Sequence, residues 1–564
     1  MCSIEGFTGP QPFTIEDYTK FNKDRGPDDT NHWDDGIVHL GHNLLAIAPQ
    51  PKNKSQPYET DRGNVLCYNG EIFGLDQQVY DTEWLANRIE QKGVQSLKHN
   101  VNGMWAFSWY DVEKKKLYLV RDHFGVKPLF YMELNGNLYW SSTTRPLMAA
   151  LNKFDKLEIA PGKFKEFQRS DRFLPFDLTP YRYIKKVAPG EVKIYNVDTH
   201  EFEPGDSMWN TNKWNLDMNL KWDPEELEQH FQEAFQDVYS PGPDVDKTVS
   251  LSGGLDSTLI MSILRNNKIS GTSCSWDDDS AAESTDNTPM FDESYLAGKT
   301  CEYFDKPFHK TVVPYDFNHL MKETYEAITL PIWDRNRLVP RYMNCKTAAE
   351  TGHKVYMVGD VADELLTGYN GDFNRFYPKN AKTKKCTKDE VLDDHREHMP
   401  ASLFGNDHIN NWLFYRTLSQ GESFCIVADH LAGSFGMESR VPFLHQELAK
   451  YLLRIPGATK LEVPIREACK DQEGYANKKH HKWFLLGHYK GIIRDNMKQH
   501  LPDHVREKSR KVGFAHPWDS RDAEKNDIIG MQDWDIVKDQ AKYFSFNVDF
   551  KHELEDNVKQ FETQ

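Results

Sequence analysis

Apolar and polar positions change rhythm partway along the chain. Up to about residue 200, short apolar runs alternate with turn residues, and such runs read as strands joined by tight loops. Gly36–Gly41, Asn64–Tyr68, Met104–Tyr110 and Lys116–Val120 are the clearest of them. Asp81–Lys92 reads as a helix lying between strands. This alternation predicts an α+β domain built on antiparallel sheets. From Glu201 to Trp222 the pattern dissolves into Pro, Gly, Asp, Asn and Trp, the texture of a linker.

Beyond the linker the texture is different. Pro224–Val238 reads as a helix with acidic residues in its first turns. Lys247–Leu251 is a buried strand, and a helix is expected from Ser257 to Asn266. Val355–Gly359 is a second strand that runs into a loop. Strand–loop–helix units of this kind predict a parallel sheet covered by helices. The remainder reads as mostly helical, with no repeat at solenoid periods. Lys478–Lys482 is a short charge run, read as a solvated loop.

A chain of 564 residues is too long for one core, and the change of texture divides it at 1–205 and 206–564. Hydrophobic residues at 38% and charged residues at 27% fit a soluble globular protein. There is no apolar run long enough for a membrane helix and no basic-then-apolar start of a signal peptide, so no membrane role is expected. The net charge of −17 argues against a broad basic surface and hence against nucleic-acid binding. The eight cysteines are scattered and form no CxxC pair, which points to a reducing, cytoplasmic setting.

Two segments carry chemistry. The first is Leu251-Ser252-Gly253-Gly254-Leu255-Asp256-Ser257, between the expected strand and helix. Its glycines let backbone approach an anion, its serines add hydroxyl donors, and the following helix offers free N–H groups to phosphate. Asp256 suits a magnesium ion held against those phosphates. The loop lacks the Gly-Lys-Ser/Thr ending of a Walker A motif. It resembles the pyrophosphate loop of ATP pyrophosphatases, which transfer AMP and release pyrophosphate. The second is Cys2. Removal of Met1 would place an α-amino group beside the thiol, as base beside nucleophile.

Cys2 is followed in order by Arg25-Gly-Pro-Asp28, Tyr68-Asn69-Gly70-Glu71-Ile72, Asp81-Thr-Glu83, Gly103–Phe107 and Arg121–Tyr131. At these residues the chain resembles class II glutamine amidotransferases. With the downstream loop, it resembles the glutamine-hydrolysing asparagine synthetases over roughly residues 1–520. The resemblance implies an Ntn-hydrolase-type glutaminase of stacked antiparallel sheets between helices, then an α/β parallel-sheet ATP-pyrophosphatase domain with many helices. It puts the nucleophile on Cys2, the oxyanion hole on Asn69 and Gly70, and the hold on glutamine's amino group on Glu71 and Asp81.

In the second half, Val358-Gly359-Asp360-Val-Ala-Asp363-Glu-Leu-Leu-Thr-Gly-Tyr369 resembles the family's SGEGxDELFGGY segment. Asp363 then joins Asp256 around Mg2+ and pyrophosphate. The segment ending Glu438-Ser-Arg-Val-Pro-Phe-Leu444 puts Arg440 on phosphate oxygens. By its spacing from Leu501-Pro502, the resemblance makes Lys490 the candidate for the lysine that stabilises charge during adenylation; Arg510–Pro517 closes the pattern. The implied substrates are ATP, glutamine and aspartate, and a homodimer is a family expectation.

The departures are informative. Leu44 stands where the family has an arginine that grips the glutamine carboxylate, and its loss could cost roughly 2–5 kcal/mol of binding. Asp360 replaces the family's glutamate near the acceptor. Asp24 replaces the His before RGPD, and Ser142-Thr-Thr-Arg145 replaces SExK. An insertion is expected between Lys156 and Lys186. These leave three alternatives open: another carboxylate acceptor or ring closure, use of ammonia alone with an impaired glutaminase, and a non-catalytic protein.

Overall fold

The computed structural model describes residues 1–47, 55–76, 78–98, 101–158, 160, 176–209, 223–276, 293–314, 317–330, 335–369, 407–457, 459–460 and 490–506. The charge run at 478–482, the segment 510–517 and most of the expected insertion lie outside them.

The N-terminal half stacks two antiparallel sheets. The first has the order β10-β8-β9-β1-β3-β2, from Lys185–Lys186, Phe130–Leu134, Asn137–Ser141, Ser3–Thr8, Val38–Leu44 and Asp29–Asp34. The second has the order β12-β11-β7-β6-β5-β4, from Glu201–Ser207, Glu191–Asn196, Lys116–Arg121, Gly103–Asp111, Val65–Ile72 and Tyr58–Glu59. Side chains alternate between faces along a strand. One set, including Ile4, Leu40, Cys67, Ala106 and Leu119, forms a core of its own. The opposite set of β5 and β6, Leu66, Tyr68, Trp105 and Phe107, packs with Leu85, Ala86 and Ile89 of a helix.

That helix is the second of the chain (α1, Ile15–Thr19; α2, Asp81–Lys92; α3, Arg145–Lys153). It has the bounds read from sequence. Asp81 and Glu83 sit favourably at its positive end. Gly93 follows its last turn at φ +75°, which glycine takes without strain.

The C-terminal half begins with α4 (Pro224–Tyr239), whose Asp223 cap accepts from Glu225 N at 2.8 Å. Leu227, Phe231, Ala234, Phe235 and Val238 form its buried stripe. A parallel sheet follows, in the order β15-β14-β13-β16-β17, from Phe308–Val313, Ile269–Trp276, Lys247–Ser250, Val355–Met357 and Glu438–Arg440. It is joined by α5 (Leu255–Ile263), α6 (Glu293–Tyr303), α7 (Asn318–Ile328), α8 (Arg335–Glu350) and α9 (Ala362–Leu366). The helices α10 (His408–Arg416), α11 (Glu422–Gly433), α12 (Gln446–Arg454), α13 (Gly491–Asn496) and α14 (Asp503–Arg506) follow. Among the described residues no helix is long and apolar enough to cross a membrane.

Two expectations shift. Glu201–Ser207 is a strand rather than linker, while 210–222 lie outside the described residues. As an edge strand, β12 tolerates Pro204 and Gly205, which had argued for a linker. The helix expected from Ser257 starts two residues earlier, at Leu255.

Candidate active site

The order of the parallel sheet reverses between β13 and β16, the place where open α/β sheets bind ligands outside their strand ends. β13 runs into Leu251–Gly254 and α5; β16 runs into Val358–Val361 and α9. The two loops touch: a Cβ on Gly359 would meet Ser257 N at 3.0 Å and Asp256 Cβ at 3.2 Å, so only glycine fits without a shift. Ser257 Oγ accepts from Ser252 N at 3.2 Å, and Ser252 Oγ accepts from Gly254 N at 3.3 Å. Gly254 caps α5 with extended backbone, leaving a helix N-terminus at the loop.

Lys490 reaches the same place from 234 positions away. Its ammonium pairs with the Asp256 carboxylate and lies 2.5 Å from Asp363 Oδ1. Burial pulls this lysine's pKa down, but Asp256 and Asp363 outweigh burial and hold it above its ordinary value. The structure thus joins three residues singled out from sequence. Asp256 and Asp363 offer hard carboxylate oxygens, and magnesium typically takes one or two of these alongside phosphates and water. The residues fit that ion in the presence of a nucleotide.

Asp360 is held by a residue that the sequence reading passed over. Arg341 of α8 forks onto it, Nη1 to Oδ2 at 2.9 Å and Nη2 to Oδ1 at 2.7 Å. Nothing in the local sequence marks an arginine in mid-helix as a partner for residue 360.

Arg440, expected on phosphate oxygens, has partners of its own in the fold. Its fully buried guanidinium donates to Glu438 Oε1 at 2.8 Å and to the carbonyls of Val238 and Pro241 at 2.8 and 3.0 Å. It also approaches Glu71 Oε1 at 3.7 Å. A side chain so committed braces the junction of the two halves. Lys490 is the cation found at the loop acids.

In the N-terminal half, alternation puts Cys2, Leu44, Asn69 and Glu71 in the same parity as the intersheet residues Ile4, Leu40 and Cys67. Asn69 and Gly70 lie within β5, opposite Ala106 and Trp105, rather than in a hairpin turn. Asn69 is fully buried, and neither atom of its amide has a partner among the described residues. A buried amide left unpaired costs about 1–3 kcal/mol, a cost that a ligand pairing with it would recover.

Cys2 Sγ accepts from Leu45 N at 3.5 Å. Burial pushes the thiol up to about 11, opposed by the neighbouring terminal amine. The Met1 amine donates to Arg25 O and Met437 O at 3.0 and 3.1 Å, and burial pulls it down to about 4. Burial, then Glu438 and Asp81, push the Glu71 carboxyl well up. Asp81 is pushed up to about 6 by burial, while the Tyr68 hydroxyl donates to it at 3.0 Å. Leu44 is half-buried at the end of β3.

Between the halves runs a seam of buried charge. Glu422 of α11 takes Arg121 at 2.9 Å and Lys186 at 2.5 Å. Asp429, on the same helix, takes Arg25 at 2.7 Å. Lys127 stands 3.8 Å from both Asp429 and Glu438.

Comparison with known proteins agrees with this layout. A glutamine amidotransferase domain family matches residues 1–206, and the asparagine synthase family matches residues 227–545. Asparagine synthetase [glutamine-hydrolyzing] 3 of Bacillus subtilis is 22% identical, covering 92% of this chain and 88% of that protein. The Sandersonia aurantiaca asparagine synthetase [glutamine-hydrolyzing] is 24% identical, covering 81% and 79%. Asparagine synthetase B of Escherichia coli is 22% identical, covering 83% and 79%. With an amidotransferase domain in front and a parallel-sheet domain carrying the loop acids behind, the chain belongs to the asparagine synthase family.

Proposed function

We propose that the protein is an ATP-dependent ligase that amidates the side-chain carboxylate of aspartate with ammonia taken from glutamine. The observation that carries this reading is Lys490 poised between Asp256 and Asp363 at the loops where the sheet order reverses. ATP lies along Ser252–Ser257, with Leu251, Val358 and Gly359 beside it. The acceptor carboxylate attacks the α-phosphate, pyrophosphate leaves, and an acyl-adenylate forms. Lys490 offsets the charge that develops. Magnesium, held by Asp256 and Asp363, would neutralise the departing pyrophosphate.

In the other half the Cys2 thiolate attacks the glutamine amide, with the Asn69 amide and Gly70 N–H facing the oxyanion. Glu71 and Asp81 hold the substrate's ammonium. Ammonia leaves as the thioester forms, water regenerates the thiol with release of glutamate, and the ammonia displaces AMP from the adenylate. Met1 must first be removed, because the base is the α-amine of Cys2. Leu44 favours a variant of this reading in which free ammonia is used more readily than glutamine.

Exchange of labelled pyrophosphate into ATP, driven by aspartate, tests the synthetase half. Exchange is expected in the wild type and is lost in Asp256→Asn and Lys490→Met. No exchange with aspartate, or full exchange in both variants, would sink the reading.

A further inference from the structure

The crevice holds a second ion pair for which the proposed chemistry has no use. Asp360 and Arg341 meet in a bidentate fork, their side chains 14% and 20% exposed. The pair is therefore neither sealed in the core nor dissolved in water. Asp360 directly follows Gly359, which touches the phosphate loop, and precedes Asp363, which pairs with Lys490, by three positions. The pair thus borders the place where the acceptor must reach ATP.

Its charge content points to a ligand class. One carboxylate and one guanidinium side by side are neutral overall, yet they display both signs within one hydrogen bond of each other. A simple carboxylic acid complements only half of such a surface. An α-amino acid carries an ammonium and a carboxylate on a single carbon and complements both. Arginine suits this task better than lysine, because its planar fork can hold two carboxylate groups at different edges.

We infer that the Asp360–Arg341 pair receives the zwitterionic head of the acceptor, its ammonium on Asp360 and its α-carboxylate on Arg341. The acceptor's side-chain carboxylate is then the one left for adenylation. This rests on the proposed function and makes Arg341 a specificity-determining residue for it. It also gives the shortened acid at 360 a role: an aspartate drawn back by one methylene leaves room for a guanidinium beside it.

The test compares acceptor-dependent pyrophosphate release from ATP for three acids. L-aspartate has both head charges, succinate lacks the ammonium, and isoasparagine has an amide in place of the α-carboxylate. The wild type should favour aspartate over each of the others by about 10- to 100-fold in kcat/KM, the worth of one charged hydrogen bond. Arg341→Gln should raise the KM for aspartate, leave kcat nearly unchanged, and erase discrimination against isoasparagine. Arg341→Lys should restore part of it, and Asp360→Asn should erase discrimination against succinate. Isoasparagine serving the wild type as well as aspartate does would overturn the inference without any variant having to fold. So would an unchanged aspartate-to-isoasparagine ratio in Arg341→Gln. Absence of pyrophosphate release with every acid is a different result and counts against the proposed function itself.

Discussion

Leu44 stands where the family resemblance leads one to expect an arginine on the glutamine carboxylate. It stands at the end of β3, in the intersheet parity of Cys2, Asn69 and Glu71. The cations of the nearby seam are committed elsewhere: Arg25 faces Asp429, and Arg440 faces Glu438 and Glu71. Leu44→Arg is therefore expected to lower the KM for glutamine by roughly 30-fold or more, the lower end of what a buried charged contact contributes. Ammonium-dependent synthesis should not change. An unaltered glutamine KM would mean that the carboxylate is gripped from another position.

Glu5 gives a prediction in pH. It lies buried under the first sheet, where Asn22 Nδ2 donates to it at 2.6 Å. Burial, opposed by Asn22 and Ser3, pushes its carboxyl up to about 8 from an ordinary 4.5. The unfolded chain releases this proton first as pH rises. Stability from this group is full below about pH 4.5 and falls through about pH 8. Glu5→Gln should therefore raise the melting temperature more at pH 8.5 than at pH 5. An equal shift at both would show that Glu5 does not titrate in this window.

Asp256, Asp363 and Lys490, which the fold brings together, were legible because each sits in a short motif read from the sequence. Arg341 was not, because its partner lies 19 positions away on another element. Asp24 and Arg145 read as two separate departures from the family. In the fold they are one ion pair at 2.6 Å, which no local pattern announces.

At the scale of elements, the two residues that flank α9 bear strain. Val361 takes φ +71° and Thr367 φ +58°, left-handed conformations that cost a β-branched residue about 1–2 kcal/mol. Both stand where the family's motif has glycine. Val361 is nonetheless buried, and a Cβ on Gly421 would meet it at 3.0 Å. Burial of a valine contributes roughly 1.5–3 kcal/mol, enough to offset the strain.

The start of α13 carries a prediction about metal. The Lys490 ammonium lies against both carboxylates expected to hold the ion, so lysine and a divalent cation compete for them. Without ATP, Mn2+ should bind weakly, and Lys490→Met should tighten it by about tenfold or more, as removal of a nearby like charge requires. Electron paramagnetic resonance of free Mn2+ reads this directly, and equal affinities would contradict it. Element bounds followed the sequence where caps are local, as at α2 and α4. They failed at β12, because pairing with β11 overrides the composition of Glu201–Ser207.

For the whole molecule, the buried seam decides how the halves act together. Glu422 pairs with both Arg121 and Lys186, all three fully buried. Removing one partner of such a set leaves charge stranded and typically costs about 3–5 kcal/mol. Glu422→Ala should lower the melting temperature and cut glutamine-dependent synthesis far more than ammonium-dependent synthesis, since only the former needs both halves aligned. Equal losses with the two nitrogen sources would make Glu422 a stability residue alone. The change of texture along the chain foretold two halves of different sheet type. The charges that join them were invisible there, since each lies far in sequence from its partner.

The central claim is that nitrogen passes from glutamine bound in one half to a carboxylate activated in the other. The most direct measurement supplies ATP, Mg2+ and aspartate with glutamine labelled by 15N at its amide, and follows the label. The account predicts 15N in the side-chain amide of asparagine, lost in Cys2→Ala and restored there by ammonium. Pyrophosphate release with no asparagine, or labelled asparagine from Cys2→Ala and glutamine, would contradict it.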